Sequence, residues 1–158
     1  MKVVVAPNAF KASMTAAQAA EAISKGVKQA VPAAETVTVP IADGGDGLIE
    51  VMQSVFPGEI VKAEVTGPLF EKVAADFYYV PETKTAFIEM ARASGLALPH
   101  EDKRTALDRN TPGTGELSRK AMEPRGTKIG LGLGRSATDA GGLGLPPVHA
   151  SRLTDGDG

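Results

Sequence analysis

The sequence predicts an α/β fold: a Rossmann-like parallel sheet with flanking helices, followed by the beginning of a second α/β subdomain. A strand, a loop and a helix follow one another twice before Pro57, and this order is typical of a parallel sheet. Three strand candidates then follow with only turns between them, which indicates antiparallel pairing or a second subdomain. We therefore divide the chain into residues 1–66 and 67–158.

The first strand and helix are predicted from a β-branched run and a helix cap. Residues 2–6, KVVVA, suit a buried strand that Pro7 stops. Thr15 and Gln18 form a capping-box pattern, so a helix should start directly after Thr15. Pro32 ends that helix. Its core-facing side is predicted at helical spacing on Ala16, Ala19, Ala20, Ile23, Val27 and Ala30.

The remaining elements follow from the same kinds of pattern. A second strand at residues 35–39 and a shorter helix at residues 48–55 complete the first segment. The later strand candidates are Glu59–Val65, Val73–Val80 and Thr85–Met90. A helix at residues 115–122 and a strand at residues 128–133 then lead into a glycine-rich stretch.

Length, composition and charge are those of one ordinary soluble domain. The chain has 158 residues, 42% of them hydrophobic, and a net charge of -2. The absence of a basic cluster and an aromatic share of 4% argue against a nucleic-acid partner. The sequence has no cysteine, which excludes disulfides and a cysteine nucleophile. No stretch is long enough for a signal peptide or a membrane span, so we expect a cytoplasmic protein without a membrane partner.

Loops that follow strands carry the residues able to perform chemistry, because open α/β sheets bind ligands at the carboxyl ends of their strands. In the first such loop, residues 7–13, Lys11 lies just before a helix N-terminus. That arrangement can bind an anion. The alternative is a solvated lysine in an ordinary capped turn.

The second loop, residues 42–47, is ADGGDG. Gly44 and Gly45 allow tight backbone conformations, so the carboxylates of Asp43 and Asp46 could face one cleft. There they could hold Mg²⁺ or accept a proton from a hydroxyl nucleophile. Asp46 could instead cap the following helix, which makes Asp43 the stronger functional candidate.

The third loop, residues 130–144, is glycine-rich and follows a predicted strand. It lacks a Walker A pattern, and residues 132–137 fit the dinucleotide fingerprint G-x-G-x-x-A only formally. From its residues alone, this loop could be either a phosphate cradle or a flexible connector. Gly113 and Thr114 offer a smaller possible phosphate contact, which an ordinary N-cap at Thr114 explains almost as well.

Taken in order, these stretches resemble the bacterial glycerate kinase family. The matching motifs are KVVVAPNAFK, ADGGDGL, VTGPLFE, KTAFIEMARASGL, GTGEL and GLGRSATDAGGLG. They cover almost the whole chain in the family's own order, which makes the resemblance specific. It implies that this chain corresponds to the N-terminal part of the family's longer chain, which later returns to complete the first domain.

The resemblance implies a reaction and a set of site residues. The implied reaction transfers the γ-phosphoryl group of ATP to a hydroxyl of D-glycerate with Mg²⁺, and 2-phosphoglycerate is the product it favours. The implied catalytic residues are Lys11, Asp43 and Asp46, and the implied metal contacts are Asp43 and Asp139. The implied substrate- and phosphate-binding residues are Gly44, Gly45, Gly113, Thr114, Gly134, Ser136, Ala137, Thr138, Gly141 and Gly142.

Several positions depart from the family's pattern. Asn8 and Ala9 replace an Asp-Ser pair, Arg135 stands at a glycine, and residues 139–140 are Asp-Ala where the family has Asn-Asp. Together with the short chain, these departures leave two alternatives to an active kinase. One is a non-catalytic fragment that associates with itself, as a homo-oligomer, or with another chain. The other is a nicotinamide-binding oxidoreductase, which depends only on the G-x-G-x-x-A match.

Overall fold

The computed structural model describes residues 1–10, 13–95, 111–123 and 126–134. In the first segment it has β1 (Lys2–Val5), α1 (Ala16–Ala30), β2 (Glu35–Thr38) and α2 (Leu48–Val55). These are followed by β3 (Glu59–Thr66), β4 (Lys72–Val80), β5 (Thr85–Glu89), α3 (Met90–Ser94), α4 (Pro112–Met122) and β6 (Lys128–Gly132). The predicted α/β class is confirmed.

The described strands form two sheets. β1 pairs in parallel with β2, as expected for strands joined through a helix. The second sheet has the order β3-β4-β5-β6, with antiparallel pairing up to β5 and parallel pairing between β5 and β6. The change of sheet thus falls between α2 and β3, and β3 lies in the second sheet although its residues 59–66 belong to the first predicted segment. A division into subdomains at that residue stays a prediction.

The capping box predicted for α1 is present. Thr15 Oγ1 accepts the Gln18 N–H at 3.2 Å, and Gln18 Oε1 accepts the Thr15 N–H at 2.9 Å. The helix ends at Ala30, before Pro32, as predicted. These local signals succeed because both partners lie within one turn of the chain.

The predicted burial of β1 and of the apolar face of α1 is wrong in part. Ala16, Ala19 and Ala20 are buried, but Ile23 is 43% exposed and Ala30 is also exposed. In β1 only Val5 is buried, and Val4 on the opposite face is 63% exposed. Two strands of four residues give a fifteen-residue helix a small surface to pack on, and among the described residues nothing covers the Val4 face.

The four-stranded sheet is covered on both faces. On one face α3 and α4 enclose the main core: Val65, Ala75, Phe77, Tyr79, Ala86, Ile88, Ala93, Leu117 and Ala121. On the other face α2 packs through Ile49 against Tyr78 and Val80. Because α2 follows the ADGGDG loop directly, this packing holds that loop beside the second sheet.

The structure corrects two helix predictions. The helix α3 was not predicted. Met90, which was assigned to the strand of residues 85–90, is instead the first residue of this helix. The helix α4 begins at Pro112 rather than at residue 115, and its N-cap residue is Thr111, so an N-cap at Thr114 is wrong. A Cβ atom on Gly113 would overlap the carbonyl oxygen of Thr66. The glycine therefore serves close packing of α4 on β3, which overrides its low helix propensity.

Candidate functional site

The loops after β1 and β2 run side by side. The Val39 N–H donates to the Val5 carbonyl oxygen at 2.8 Å, and the Ile41 N–H donates to the Pro7 carbonyl oxygen at 3.1 Å. Parallel strands bring their carboxyl ends to one edge of a sheet, so these two loops must meet there. They enclose a cavity of about 510 Å³ lined by residues of all three predicted loops, among them Asn8, Ser13, Thr15, Asp43, Asp46 and Gly134.

The ADGGDG loop owes its shape to glycine. Gly44 and Gly47 have φ of +86° and +92°, in the left-handed region that other residues rarely adopt. Asp43 Oδ1 accepts the Gly45 N–H at 3.0 Å, which closes a tight turn. Asp43 and Asp46 both line the cavity, so the structure brings the two predicted carboxylates together.

The alternative role considered for Asp46, as N-cap of α2, is wrong. The N-cap residue is Gly47, which has no side chain to accept a hydrogen bond from the helix. Asp46 is exposed and lines the cavity.

The end of β6 lies directly against the ADGGDG loop. The Gly134 N–H donates to the Gly44 carbonyl oxygen at 2.9 Å. A Cβ atom on Gly134 would lie 2.5 Å from the Cα atom of Gly45, and one on Gly132 would lie 2.5 Å from the Gly44 oxygen. Real Cβ atoms do not approach so closely, so both glycines are required for this contact between backbones.

Two backbone hydrogen bonds join Phe10 to Met14 beside the cavity. The Phe10 N–H donates to the Met14 carbonyl oxygen at 3.0 Å, and the Met14 N–H donates to the Phe10 oxygen at 3.2 Å. Phe10, Ser13 and Met14 all line the cavity. Lys11 itself lies outside the described residues, as do six predicted residues of the glycine-rich stretch: Ser136, Ala137, Thr138, Asp139, Gly141 and Gly142.

Every charged side chain that the structure describes in the cavity lining is acidic: Asp43, Asp46 and Glu50. An anionic ligand would need a cation beside these carboxylates. Within the described residues, no group of three or more His, Cys, Asp or Glu side chains converges on a point. The donor set still fits Mg²⁺, which takes one or two carboxylates and completes its coordination with waters and substrate phosphates.

The structure does not bring Gly113 and Thr114 to the other predicted site residues. Both are buried inside α4, and neither lines the cavity. Thr114 Oγ1 lies 2.9 Å from Ser94 Oγ, and the Ser118 hydroxyl donates to the Thr114 carbonyl oxygen at 2.9 Å. The contact with Ser94 joins α3 to α4, and the bond from Ser118 lies within α4, so the surroundings of Thr114 favour a packing role.

Sequence reasoning missed Glu89, the last residue of β5. Glu89 is 3% exposed, and its Oε1 accepts the Ile49 N–H of α2 at 2.7 Å. Its Oε2 accepts the Arg92 Nε–H at 3.0 Å, while Arg92 Nη1 donates to Asp76 Oδ1 at 2.7 Å. A sequence signal existed, since a glutamate ends an apolar strand and an arginine follows three residues later.

The ion pairs of Arg92 keep its guanidinium charged. Burial by itself would lower the pKa of Arg92, but the hydrogen bond and charge of Glu89, followed by those of Asp76, outweigh burial and raise that pKa. A permanently charged Arg92 holds the Glu89 and Asp76 carboxylates in fixed positions.

Within the described ranges, no helix is long and apolar enough to cross a membrane.

Comparison with known proteins gives one consistent result. The model of the glycerate kinase family matches residues 3–158. Glycerate 2-kinase of Escherichia coli (strain K12) is 46% identical over 158 residues, which are 100% of this chain and 42% of that protein. Glycerate kinase of Bacillus subtilis (strain 168) is 43% identical over 158 residues, which are 100% of this chain and 41% of that protein.

A solved structure is also similar. A crystal structure described as a glycerate kinase 2 from Salmonella typhimurium LT2 superposes with a TM-score of 0.78 at 41% identity. The likeness covers 100% of this chain and 42% of that chain. The chain thus spans about two fifths of the length of the relatives that it matches.

Proposed function

The chain belongs to the glycerate kinase family, and we propose that it provides substrate-handling loops for the transfer of the γ-phosphoryl group of ATP to a hydroxyl of D-glycerate. One observation carries this proposal: the loops after β1, β2 and β6 converge on a single cavity that contains Asp43 and Asp46. Phosphoryl transfer depends mainly on positioning and on neutralisation of charge, which such loops can provide.

We assign the acceptor side of the reaction to the ADGGDG loop. The carboxylates of Asp43 and Asp46 line the cavity, and either could orient the glycerate hydroxyl and accept its proton. The glycerate carboxylate and the phosphates of ATP are anionic, so they need a cation against these acidic side chains. Lys11, which follows Phe10 of the cavity lining in the sequence, is our candidate for that cation.

We assign Mg²⁺ to Asp43, with Asp139 as a second candidate ligand. When bound, the metal would neutralise phosphate charge and orient the transferred group. The described carboxylates are hard oxygen donors, and their number leaves coordination positions open for phosphate oxygens. Gly134, Ser136, Ala137, Thr138, Gly141 and Gly142 are our candidates for a phosphate-contacting loop. We further propose 2-phosphoglycerate as the product and the cytoplasm as the location.

A non-catalytic, associating chain is a second candidate, and one observation favours it. Val4 on β1 and Val55 at the end of α2 are 63% and 61% exposed. Apolar side chains left open on strands and helix ends favour association with another surface. A nicotinamide-binding oxidoreductase has no such support. It depends on the G-x-G-x-x-A match, and the two glycines of that match, Gly132 and Gly134, pack against the ADGGDG loop.

The test of the kinase proposal combines binding with turnover. Calorimetric titration of the 158-residue chain with Mg·ATP and with D-glycerate should show binding. Asp43→Asn should weaken it, whereas Glu21→Gln on the exposed face of α1 should not. ADP formation that depends on D-glycerate would show that these loops suffice for transfer. A chain that binds neither ligand contradicts the proposal, and a stable dimer without ligand binding supports the associating alternative.

A further inference from the structure

Glu89 connects the end of β5 to the start of α2, which directly follows the ADGGDG loop. It ends β5 and stands opposite Gly132 of β6 in the parallel register. Gly132 in turn approaches the backbone of Gly44. Glu89 is therefore the β5 partner of the β6 residue that contacts the ADGGDG loop.

The Glu89 carboxylate replaces a missing helix cap. The first turn of a helix leaves backbone N–H groups without intrahelical acceptors. The N-cap residue of α2, Gly47, has no side chain to accept them, and the acceptor for the Ile49 N–H is Glu89 Oε1 at 2.7 Å. Ile49 is 1% exposed, so solvent cannot readily replace a lost acceptor there. A carboxylate at a helix N-terminus is also favoured by the helix dipole.

The second carboxylate oxygen fixes Glu89 from the other side. Arg92 Nε donates to Oε2 at 3.0 Å, and Arg92 is held by Asp76 of β4 at 2.7 Å. The orientation of Glu89 is thereby set by β4, β5 and α3, all of which belong to the four-stranded sheet and its helical layer. A rigid buried partner is what a remote cap needs in order to hold a helix end in place.

We propose that Glu89 is a positioning residue, which acts through the Ile49 N–H on the start of α2 and so sets the placement of Asp43 and Asp46 in the cavity. The ADGGDG loop is then held at two points, by Glu89 at its end and by the contact of Gly134 with Gly44. The role of Glu89 in the reaction rests on the proposed function, whereas the effect of Glu89 on the position of the loop does not.

A matched pair of variants tests this inference. Glu89→Gln keeps the size of the side chain, but an amide nitrogen only donates, so one of the two positions held by Oε1 and Oε2 loses its hydrogen-bond acceptor. Glu116→Gln is the control, because Glu116 also accepts a backbone N–H, that of Thr66 at 3.0 Å, and the Thr66 hydroxyl at 2.8 Å. Glu116 does not line the cavity.

The first readout is amide NMR of the ligand-free chain. In Glu89→Gln we expect displaced or broadened signals for Gly44, Gly45 and Gly47, whereas Glu116→Gln should displace Thr66 and spare these glycines. Unchanged glycine signals in Glu89→Gln, or the same displacement in both variants, would overturn the inference. Should Glu89→Gln fail to fold, Arg92→Lys, which removes the Nε donor, should displace the same signals less strongly.

The second readout is turnover with D-glycerate. We expect Glu89→Gln to lower kcat by on the order of tenfold to a hundredfold with KM for ATP little changed, since misplaced catalytic groups affect the reaction more than binding. Glu116→Gln should keep kcat at a similar loss of stability. Equal kcat losses in the two variants would overturn the role in the reaction. A wild-type chain without turnover would reject the proposed function, and the NMR comparison would still decide the positioning.

Discussion

Gly134 and Gly44, ninety positions apart in the chain, are joined by a backbone hydrogen bond of 2.9 Å. The contact places the end of β6 against the ADGGDG loop, and it depends on the absence of a side chain at Gly134. It explains how loops from two different sheets come to line one cavity.

Gly134→Ala should therefore destabilise the protein. Its Cβ atom would lie 2.5 Å from the Cα atom and 2.7 Å from the nitrogen of Gly45, so the two backbones would have to separate. We expect a loss of about 1–3 kcal/mol in the free energy of unfolding, the usual result of overpacking. Urea unfolding followed by circular dichroism measures it.

Gly26→Ala is the matched control for this substitution. Gly26 lies in α1, and a Cβ atom there would meet no neighbour within 4 Å. Alanine should stabilise the helix by about 0.5–1 kcal/mol because it restricts the unfolded chain and favours helix. If Gly134→Ala were as stable as the wild type, the close approach of β6 to the loop would be wrong.

Signals contained within a few residues predicted most of the fold. The cap of α1 at Thr15, the end of that helix before Pro32, and the strands from β3 to β6 follow from local propensity and spacing. The convergence of the loops after β1 and β2 followed from a general rule of parallel sheets rather than from any one residue.

The failures have a common cause in tertiary contacts. The start of α4 was misplaced because Gly113 weakens a helix locally, whereas its packing on Thr66 requires a glycine. Glu89 was missed because its partner Ile49 is forty positions away. Ile23 was predicted to be buried because it lies at helical spacing on the apolar face of α1. Its exposure depends instead on how much sheet surface the helix can pack on.

The ion pair of Glu21 with Lys25 predicts a small dependence of stability on pH. The hydrogen bond and charge of Lys25 lower the pKa of Glu21 below its ordinary value of 4.5. Because the folded-state pKa is the lower one, the stabilisation is present above the ordinary value and is lost as the pH falls through the lowered pKa. Glu21→Gln should thus be slightly less stable than the wild type at pH 7 and equally stable in acid.

Thermal unfolding of both proteins across this pH range checks the sign. Both side chains are well exposed, so added salt should remove most of the difference at pH 7. A difference that grew in acid would show that another group, not this pair, is responsible.

Thr114→Val separates the two roles considered for the GTGEL motif. The substitution keeps the volume of the side chain but removes the hydroxyl that lies 2.9 Å from Ser94 Oγ. Since Thr114 is 0% exposed, the partner hydroxyl would stay buried, and we expect a loss of about 1–3 kcal/mol in the free energy of unfolding. Ser94→Ala in the same background should add little further loss, because the two hydroxyls are lost as one pair.

The affinity of Thr114→Val for Mg·ATP should match that of the wild type. Calorimetry measures it under conditions where the variant is fully folded. Thr114 faces α3 from inside α4 and does not line the cavity. A folded variant of unchanged stability that no longer binds Mg·ATP would instead support the phosphate contact implied by the family motif. Asp43→Asn provides the opposite pattern for comparison, because its carboxylate lines the cavity and should affect binding more than stability.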